Sequence, residues 1–374
     1  MSDITAPTRF TPSAARTPPL LTTGPIGWLR ANLFSSWLST AVTLLLGYLL
    51  VRWAMGFVDW AFVKAIWSVE TGADGRPLTQ PCRVNREGAC WAVVTENHRF
   101  ILFGLYPYDE QWRPLVACIL FVGLYIVSAM RRFWRKELAL IWAVTLTVIG
   151  ILMWGGVFGL TFVDQERWGG LPITLILSTF GLAFAFPLAI LVALGRRSNL
   201  PAVKIICVLY VELIRGVPLI SLLFMASVMF PLFLPEGVTV DKILRAQVAI
   251  ILFTAAYIAE VVRGGLQAIP RGQYEAAESL GLDYYLKMRL IILPQALKIV
   301  IPPTVSILIS AFKDTSLVVI IGLFDLLKTT QVTLSNPEWM GFSAEAYLFV
   351  AMLYFAGCFS MSNFSRRLER ELHS

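Results

Sequence analysis

Three pairs of charged residues interrupt otherwise apolar stretches of this 374-residue sequence. They are Glu212 with Arg215, Glu260 with Arg263, and Lys313 with Asp314. A charge inside hydrocarbon costs a few kcal/mol or more, so such residues are expected to bind a solute or each other. A zwitterionic solute needs a cation or amide for its carboxylate and an acceptor for its ammonium group. Each pair could supply both.

The third pair and the two residues after it are the leading candidates for the lining of a transport path. At about 1.5 Å of rise per residue, Lys313 lies roughly 20 Å beyond a helix start near Leu297, at or past the bilayer centre. Thr315 and Ser316 add hydroxyl groups that can hydrogen-bond a polar solute. We therefore predict that Lys313, Asp314, Thr315 and Ser316 line the path, although an ion pair that fixes helix packing would explain the two charges equally well.

A purely structural role is favoured for the other two pairs, Glu212 with Arg215 and Glu260 with Arg263. Glu212 and Arg215 are spaced i,i+3, which favours a local ion pair on one helix face. Arg215 would nevertheless lie deep in the membrane if its helix begins near Val203, so both residues stay candidates for the path. Glu260 and Arg263 lie near the end of their helix, where a pair can simply anchor the adjoining polar loop.

Proline residues are predicted to shape the passage. Pro218 is expected to interrupt one membrane helix, and Pro302 and Pro303 to disturb another just before Lys313. The backbone carbonyl groups that these prolines free could face a cavity. Packing kinks without any ligand role would fit the same residues.

The elements that must position these residues are membrane helices. The sequence is 57% hydrophobic and 15% charged, with a mean hydropathy of +0.70, which is more apolar surface than a soluble fold can bury. The formal charge of +7 comes from Lys and Arg in short segments between apolar runs, the positive-inside pattern and not a nucleic-acid-binding patch. We predict an all-α polytopic protein whose eight spans of roughly 20 residues are Leu33–Val58, Leu115–Met130, Leu138–Val163, Leu171–Leu194, Val203–Leu234, Val248–Val262, Ala296–Leu327 and Ala346–Met361.

Basic residues after the second, fourth and last spans, among them Arg196 and Arg197, place both termini in the cytoplasm. Residues 1–32, rich in Pro, Thr and Ala, are predicted to be a disordered cytoplasmic tail without a cleavable signal peptide. Residues 59–113 then form a periplasmic loop. Its Cys82 and Cys90 could form a disulfide or stay free thiols, whereas a zinc site that also used His98 lacks a recognisable ligand spacing.

Residues 264–295 are the sizeable polar tract on the cytoplasmic side, where an intracellular partner would bind. The tract contains an ordered motif: Glu275, Ala276 and Ala277, three intervening residues, Gly281, nine intervening residues, Ile291, and finally Leu293 and Pro294.

The motif predicts a helix-turn-helix. A short helix from Gln273 to Leu280 would present small alanines to a partner groove, and Gly281 would end it with a left-handed conformation. A second helix from about Tyr284 would turn the chain back towards the membrane, with Pro294 limiting its continuation. Such a unit can act as a rigid lever; an ordinary amphipathic surface helix is the simpler alternative.

This order and spacing resemble the E-A-A loop of importer permeases of the ATP-binding-cassette (ABC) superfamily. Further matches narrow the resemblance to the permeases for histidine, glutamate, glutamine, arginine and opines. The matching segments are Gly170–Leu175, Glu212–Pro218, Tyr257–Gly265, Gly272–Ala277, Pro294–Ala296 and Lys313–Leu317. The resemblance covers roughly Gly169 to the C-terminus, and the long N-terminal extension is similar to one permease of the general L-amino-acid importers of proteobacteria.

The resemblance implies a five-helix type I permease core over residues 165–374, preceded by three accessory helices within residues 33–164 that we expect to brace a partner permease. It implies transport of polar L-amino acids, such as glutamate, glutamine, aspartate and asparagine or a broader range, across the bacterial inner membrane. The implied partners are a second homologous permease in a heterodimer, a cytoplasmic ATPase dimer and a periplasmic amino-acid-binding protein. The residues implied to couple to the ATPase are Gln273, Tyr274, Glu275, Ala276, Ala277, Gly281, Leu293 and Pro294.

In such a system ATP and Mg²⁺ are bound by the ATPase, so we expect this chain to bind no cofactor, metal or nucleic acid. Its nearest approach to a nucleotide-binding loop, residues 322–329, lacks the second glycine of G-x-x-x-x-G-K-[ST]. The resemblance also implies that the binding protein docks on periplasmic segments that include Asn336–Trp339.

Two classes of protein remain on the sequence alone. The first is a permease subunit that needs a separate ATPase. The second is a self-sufficient channel or secondary carrier in which the intramembrane acids couple ions to the solute, a class that often shows internal repeats. No convincing repeat is visible here.

Overall fold

The computed structural model of the chain describes residues 24–73, 75–85 and 87–373. Helices dominate these ranges, with short 3₁₀ and π turns between some of them. The α-helices are α1 Gly24–Asn32, α2 Trp37–Val58, α3 Gln80–Val84, α4 Ala92–Phe103, α5 Trp112–Ala129, α6 Lys136–Trp154, α7 Leu171–Arg196, α8 Pro201–Gly216, α9 Leu219–Phe224, α10 Lys242–Ala268, α11 Arg271–Ser279, α12 Tyr284–Lys287, α13 Leu293–Asp314, α14 Leu326–Ser335 and α15 Ser343–His373.

The chain divides into two compact units. The first comprises the residues up to Ile66 together with Val84–Ala89, and it contains α1 and α2. The α1 helix occupies the last part of the tail that was predicted to be disordered, so that prediction is wrong for residues 24–32; the preceding residues lie outside the described ranges. Helix α2 has no buried residue within its unit, so its apolar side chains are free to face lipid.

The second unit comprises Trp67–Arg83 and all residues from Cys90 onwards. Helices α7 and α10 form its centre and pack against each other, while α13 and α8 pack on α10 and α5 packs on α7. Alanines on both central helices are fully buried, including Ala185, Ala189, Ala255 and Ala259. Small side chains at these positions let the two backbones approach closely, as is common between membrane helices.

Within the described ranges, seven helices are long and apolar enough to cross a membrane, and the α8–α9 pair counts as an eighth span. The predicted all-α fold with about eight spans is confirmed. Helices α8 and α9 are bent by 105° relative to each other, and the break falls at Val217 and Pro218. The predicted interruption at Pro218 is therefore also confirmed, because proline cannot donate the hydrogen bond that would continue the helix.

Two spans are shorter than predicted because glycines end them inside apolar sequence. Helix α6 ends at Trp154 and not at Val163, since Gly155 has a φ of +68°. A Cβ atom on Gly155 would lie 2.0 Å from the Thr161 carbonyl oxygen, so this turn requires glycine. Helix α13 continues only as a 3₁₀ segment, which ends before Gly322 at a φ of +75°.

Prolines disturb α13 less than predicted. The helix runs without a break through Pro302 and Pro303, so these residues remove two backbone donors and do not end it. Pro294 does not limit the preceding helix either. A π turn, Met288–Ile292, joins α12 to α13, and the Leu293 N–H bonds to the Met288 carbonyl. Pro294 thus falls in the first turn of α13, directly after the π turn, and the chain stays helical through it.

Candidate functional site

The E-A-A motif folds into a helical hairpin formed by α11 and α12, as the sequence predicted. Gly281 has a φ of +73°, which a residue without a Cβ adopts at no steric cost. The Gly281 N–H bonds to the Glu278 carbonyl at 2.9 Å and the Leu282 N–H to the Ala277 carbonyl at 3.2 Å. These two bonds are the Schellman arrangement that ends a helix. Asp283 then caps α12 by accepting the Leu286 N–H at 2.8 Å.

The hairpin presents large apolar side chains outwards. Leu280, Tyr284 and Tyr285 are 75%, 60% and 63% exposed. Glu275 and Ala276 are exposed beside them, whereas Ala277 is fully buried against the protein. Only one of the two alanines is therefore available to a partner, contrary to the prediction. A cluster of apolar groups on an otherwise polar turn is typical of a surface that another protein covers.

Side-chain hydrogen bonds hold the hairpin against three longer helices. The Tyr274 hydroxyl donates to the Leu266 carbonyl near the end of α10 at 3.0 Å. Arg197, which follows α7, donates both to the Tyr274 hydroxyl and to the same carbonyl, each at 3.0 Å. Gln295 in α13 donates to the Gln273 side chain at 3.1 Å. The hairpin is thus fixed to α7, α10 and α13 at once.

The two remaining predicted coupling residues lie where the hairpin joins α13. Leu293 packs half-buried against the core around α7 and α10, and Pro294 is exposed. A pocket of about 430 Å³ lies between α11 and the ends of α7 and α10. Arg197, Leu266, Tyr274 and Glu275 contribute to its lining.

The charged residues of α8 and α10 form one cluster around Glu260. Arg196, the last residue of α7, bonds to Glu260 at 2.5 Å and to Glu212 at 3.0 Å. Arg263 also pairs with Glu260, and Arg215 lies 3.7 Å from it. The predicted local pair between Glu212 and Arg215 is therefore wrong, since each bonds to a residue on another helix. Arg215 belongs to the Glu260 cluster, not to a separate, deeper set.

The residues predicted to line a path lie where α13 passes into its 3₁₀ extension. Lys313 is exposed and Asp314 half-buried, and no ion pair joins them among the described residues. Thr315 is fully buried and donates its hydroxyl to the Phe312 carbonyl at 2.8 Å. Ser316 donates to the Lys313 carbonyl at 2.8 Å. Both hydroxyl groups thus donate within their own helix, which leaves the Lys313 ammonium and the partly accessible Asp314 carboxylate as the charged groups of this set.

The end of the second unit that lies away from the hairpin carries a disulfide between Cys82 and Cys90, whose Cα atoms are 5.5 Å apart. The Cys90 N–H donates to the buried Glu345 carboxylate at 3.0 Å. Arg83 donates to the Pro337 carbonyl at 2.7 Å. The loop preceding α4 therefore covers the segment Asn336–Trp339, and α4 itself packs on α14. These contacts tie the N-terminal extension to the chain's own C-terminal half.

A fully buried acid begins α14 at the same end. Asp325 accepts the Lys328 N–H at 2.9 Å and the Leu327 N–H at 3.1 Å. Burial raises the pKa of its carboxyl to about 6 despite these two bonds. The Gly170 N–H bonds to the Phe324 carbonyl at 2.7 Å, so this cap also fixes the start of α7.

Sequence reasoning missed the roles of Arg196 and Arg197. The two residues were interpreted only as an orientation signal, although consecutive arginines at the end of a span can reach both into the bundle and out to the loops. Their partners are distant in sequence, by 64 residues for Arg196 with Glu260 and 77 for Arg197 with Tyr274. No local pattern points to such contacts.

Comparison with known proteins agrees with this architecture. A family model described as "binding-protein-dependent transport system inner membrane component" matches residues 185–374. The inner membrane amino-acid ABC transporter permease protein YhdY of Escherichia coli (strain K12) is 47% identical over 355 residues, 93% of each chain. The glutamate/glutamine/aspartate/asparagine transport system permease protein BztC of Rhodobacter capsulatus is 38% identical over 421 residues, 96% of each chain.

Among solved structures, an amino acid ABC transporter crystallised with histidines is 30% identical, with a TM-score of 0.48 over 54% of this chain and 92% of that one. The two relatives cover nearly the whole chain, so they share its N-terminal extension as well as its C-terminal half. Both relatives are named as permease proteins of transport systems and not as self-sufficient carriers. The chain belongs to the family of binding-protein-dependent transport system inner-membrane components, and it is a multi-pass permease subunit of an ABC transporter.

Proposed function

We propose that this permease imports polar L-amino acids, as one half of a heterodimeric translocation path in the bacterial inner membrane. The substrate class is supported by the names of the two full-length relatives, one an amino-acid permease and the other a permease for glutamate, glutamine, aspartate and asparagine. The second half of the path is a homologous permease. Hydrolysis of ATP takes place on a separate ATPase dimer.

The single observation that carries the mechanism is the hairpin of α11 and α12. It exposes Leu280, Tyr284 and Tyr285 and is bonded to α7, α10 and α13. A partner that covers the apolar face would therefore move three membrane helices together when it moves. Closure of the ATPase dimer tilts these helices and opens the path outwards, and hydrolysis restores the inward-facing state. In this mechanism a loaded binding protein stimulates the ATPase, because it favours the state in which the ATPase dimer closes.

The Cys82–Cys90 disulfide supports the orientation that we propose. Disulfides persist in an oxidising periplasm and are rare in the cytosol, so we place this loop in the periplasm and the hairpin, at the opposite end, in the cytoplasm. Trp339 is buried and Arg83 covers the Pro337 carbonyl. The binding protein would therefore meet the disulfide loop together with the segment Asn336–Trp339, and not that segment alone.

Within the membrane, Lys313 is the group in the predicted path set that is free to meet a carboxylate. Asp314 beside it would accept from the ammonium group of the substrate, while Thr315 and Ser316 shape the helix through their hydroxyl bonds to its backbone. Glu212 and Arg215 act on the path through the Glu260 cluster, which holds the ends of α7, α8 and α10 together.

The test is uptake of radiolabelled glutamine and glutamate by cells that carry Glu275→Lys. This change replaces an exposed acid of the hairpin by a cation, so uptake should fall at least tenfold while the amount of protein in the membrane is unchanged. Glu369→Lys is the matched control, because Glu369 is an exposed acid of α15 outside the hairpin, and it should transport normally. Purification through a C-terminal tag should recover an ABC ATPase and a second permease with the control protein. Normal uptake by Glu275→Lys, or purification of a stable chain without any ATPase, would refute the proposal.

A further inference from the structure

The hairpin is joined to α10 by a short extended link at Ile269 and Pro270. Ile269 has φ −72° and ψ 124°, and Pro270 φ −56° and ψ 141°, so two consecutive residues leave the helical conformation between α10 and α11. A non-helical link of this length allows α11 to pivot relative to α10. The covalent connection alone therefore does not make the two helices move as one body.

Three hydrogen bonds close around this link. Tyr274 in α11 reaches back across it to the Leu266 carbonyl in α10. The Arg197 guanidinium donates to both groups and lies over the Tyr274 ring, with its central carbon 5.5 Å from the ring centroid. Guanidinium is planar and rigid, so one side chain that holds two acceptors fixes the distance and the direction between them.

The residue before Arg197 makes the second set of contacts. Arg196 bonds to Glu260 in α10 and to Glu212 in α8. Because the two arginines are neighbours in the chain, they connect the hairpin to the Glu260 cluster through a single point, the C-terminal end of α7. A displacement of α11 that pulls on Arg197 must also pull on Arg196.

We infer that Arg197 and Tyr274 form a latch across the Ile269–Pro270 link, which makes the hairpin and the adjoining ends of α7 and α10 move together. Arg197 is a positioning residue: it transmits motion that the ATPase delivers to the hairpin and touches neither ATP nor the substrate. Without the latch, α11 pivots at the link and the ends of α7 and α10 no longer follow the hairpin, so ATP is hydrolysed with less transport. This inference rests on the proposed function.

The quantity that tests the latch is the number of substrate molecules transported per ATP hydrolysed. It is measured in proteoliposomes that contain the whole complex and receive loaded binding protein. Arg197→Met removes the guanidinium and keeps a side chain of similar length, and Tyr274→Phe keeps the ring and removes the hydroxyl. We expect this ratio to fall at least fivefold in Arg197→Met and at least twofold in Tyr274→Phe. The double variant should fall no further than Arg197→Met, since both changes open one latch.

A role limited to folding would lower transport and hydrolysis in parallel and leave their ratio unchanged. Lys204→Met, which removes an exposed cation from the start of α8, is the control and should keep the ratio of the wild type. Arg197→Lys retains one donor group and should recover part of the ratio. A wild-type complex whose ATPase is not stimulated by loaded binding protein would overturn the proposed function, and the latch with it. A stimulated wild type together with unchanged ratios in Arg197→Met and Tyr274→Phe would overturn the latch alone.

Discussion

Gly265 allows α10 and α13, the two membrane helices that flank the hairpin, to approach closely. A Cβ atom added to Gly265 would lie 2.2 Å from the Val300 Cγ1 atom and 3.1 Å from the Ala296 carbonyl oxygen. Real Cβ contacts of that length do not occur, so one of the partners must move. Val300 is buried and β-branched, with a stiff χ1 angle, and the Ala296 oxygen belongs to the backbone. The two helices would therefore have to separate.

The neighbouring Gly264 gives the reference for the magnitude. A Cβ atom there would meet nothing within 4 Å, so Gly264→Ala should stabilise the helix by about 0.5–1 kcal/mol through its propensity alone. Gly265→Ala gains the same propensity term but adds an overpacking cost of about 1–3 kcal/mol. We expect the two alanine variants to differ by that cost, with Gly265→Ala the less stable.

The assay is the melting temperature of each variant in mild detergent, measured by the loss of the monodisperse peak in size-exclusion chromatography. At about 2–4 °C per kcal/mol for domains of 150–250 residues, the two variants should differ by several degrees. Val300→Ala removes the clashing Cγ1 atom, and the Val300 Cβ atom is 3.6 Å from the added methyl group. The Gly265→Ala/Val300→Ala double variant should therefore lose less stability than the two single variants lose together. Equal melting temperatures for Gly264→Ala and Gly265→Ala, or strictly additive single changes, would refute the reasoning.

Two further predictions concern the Cys82–Cys90 disulfide and Asp325, which lie away from the hairpin. Of the five cysteines, only Cys118, Cys207 and Cys358 are free. Denatured protein treated with a polyethylene-glycol maleimide should therefore carry three tags without reductant and five after reduction. Five tags in both cases would contradict the disulfide and remove the support for a periplasmic loop. Burial raises the pKa of Asp325 to about 6 in the folded protein, from about 3.8 in the unfolded chain. The protonated carboxyl therefore stabilises the fold fully below pH 3.8, and this stabilisation is lost as the pH rises through 6. From pH 5 to pH 7.5 the wild type should lose about 1.5 kcal/mol of stability that Asp325→Asn does not lose; melting temperatures measure this difference, and an identical pH dependence of the two proteins would contradict the assignment.

The sequence predicted the parts of the fold that depend on local chemistry. Long apolar runs gave the spans, and the Pro218 break and the left-handed Gly281 turn follow from single residues whose backbone preferences override their neighbours. The ends of α6 and of the α13 extension were placed too late because Gly155 and Gly322 stand within apolar sequence, where hydropathy continues after the helix has stopped. Composition measures what can lie in a membrane and does not record where the backbone turns.

The pairing of the charged groups could not be predicted from the sequence. Glu212 and Arg215 have the spacing of a local pair, but Arg196 offers Glu212 a 3.0 Å bond from another helix. Which pair forms depends on how α7 ends between α8 and α10, a fact that no window of the sequence contains. The path residues stay a prediction, and the sequence did not foresee that the hydroxyl groups of Thr315 and Ser316 donate to carbonyls three residues back in the same helix.

The contacts to which we assign coupling fall within two turns of helix α10. Glu260 forms an ion pair with Arg196, and Gly265 lets α13 pack closely. The Leu266 carbonyl accepts hydrogen bonds from Tyr274 and Arg197. At about 1.5 Å of rise per residue, these positions lie within roughly 9 Å along α10. All three contacts therefore lie at the end of α10 that adjoins the hairpin. On the proposed mechanism, the end of α10 is one place where motion of the hairpin enters the membrane.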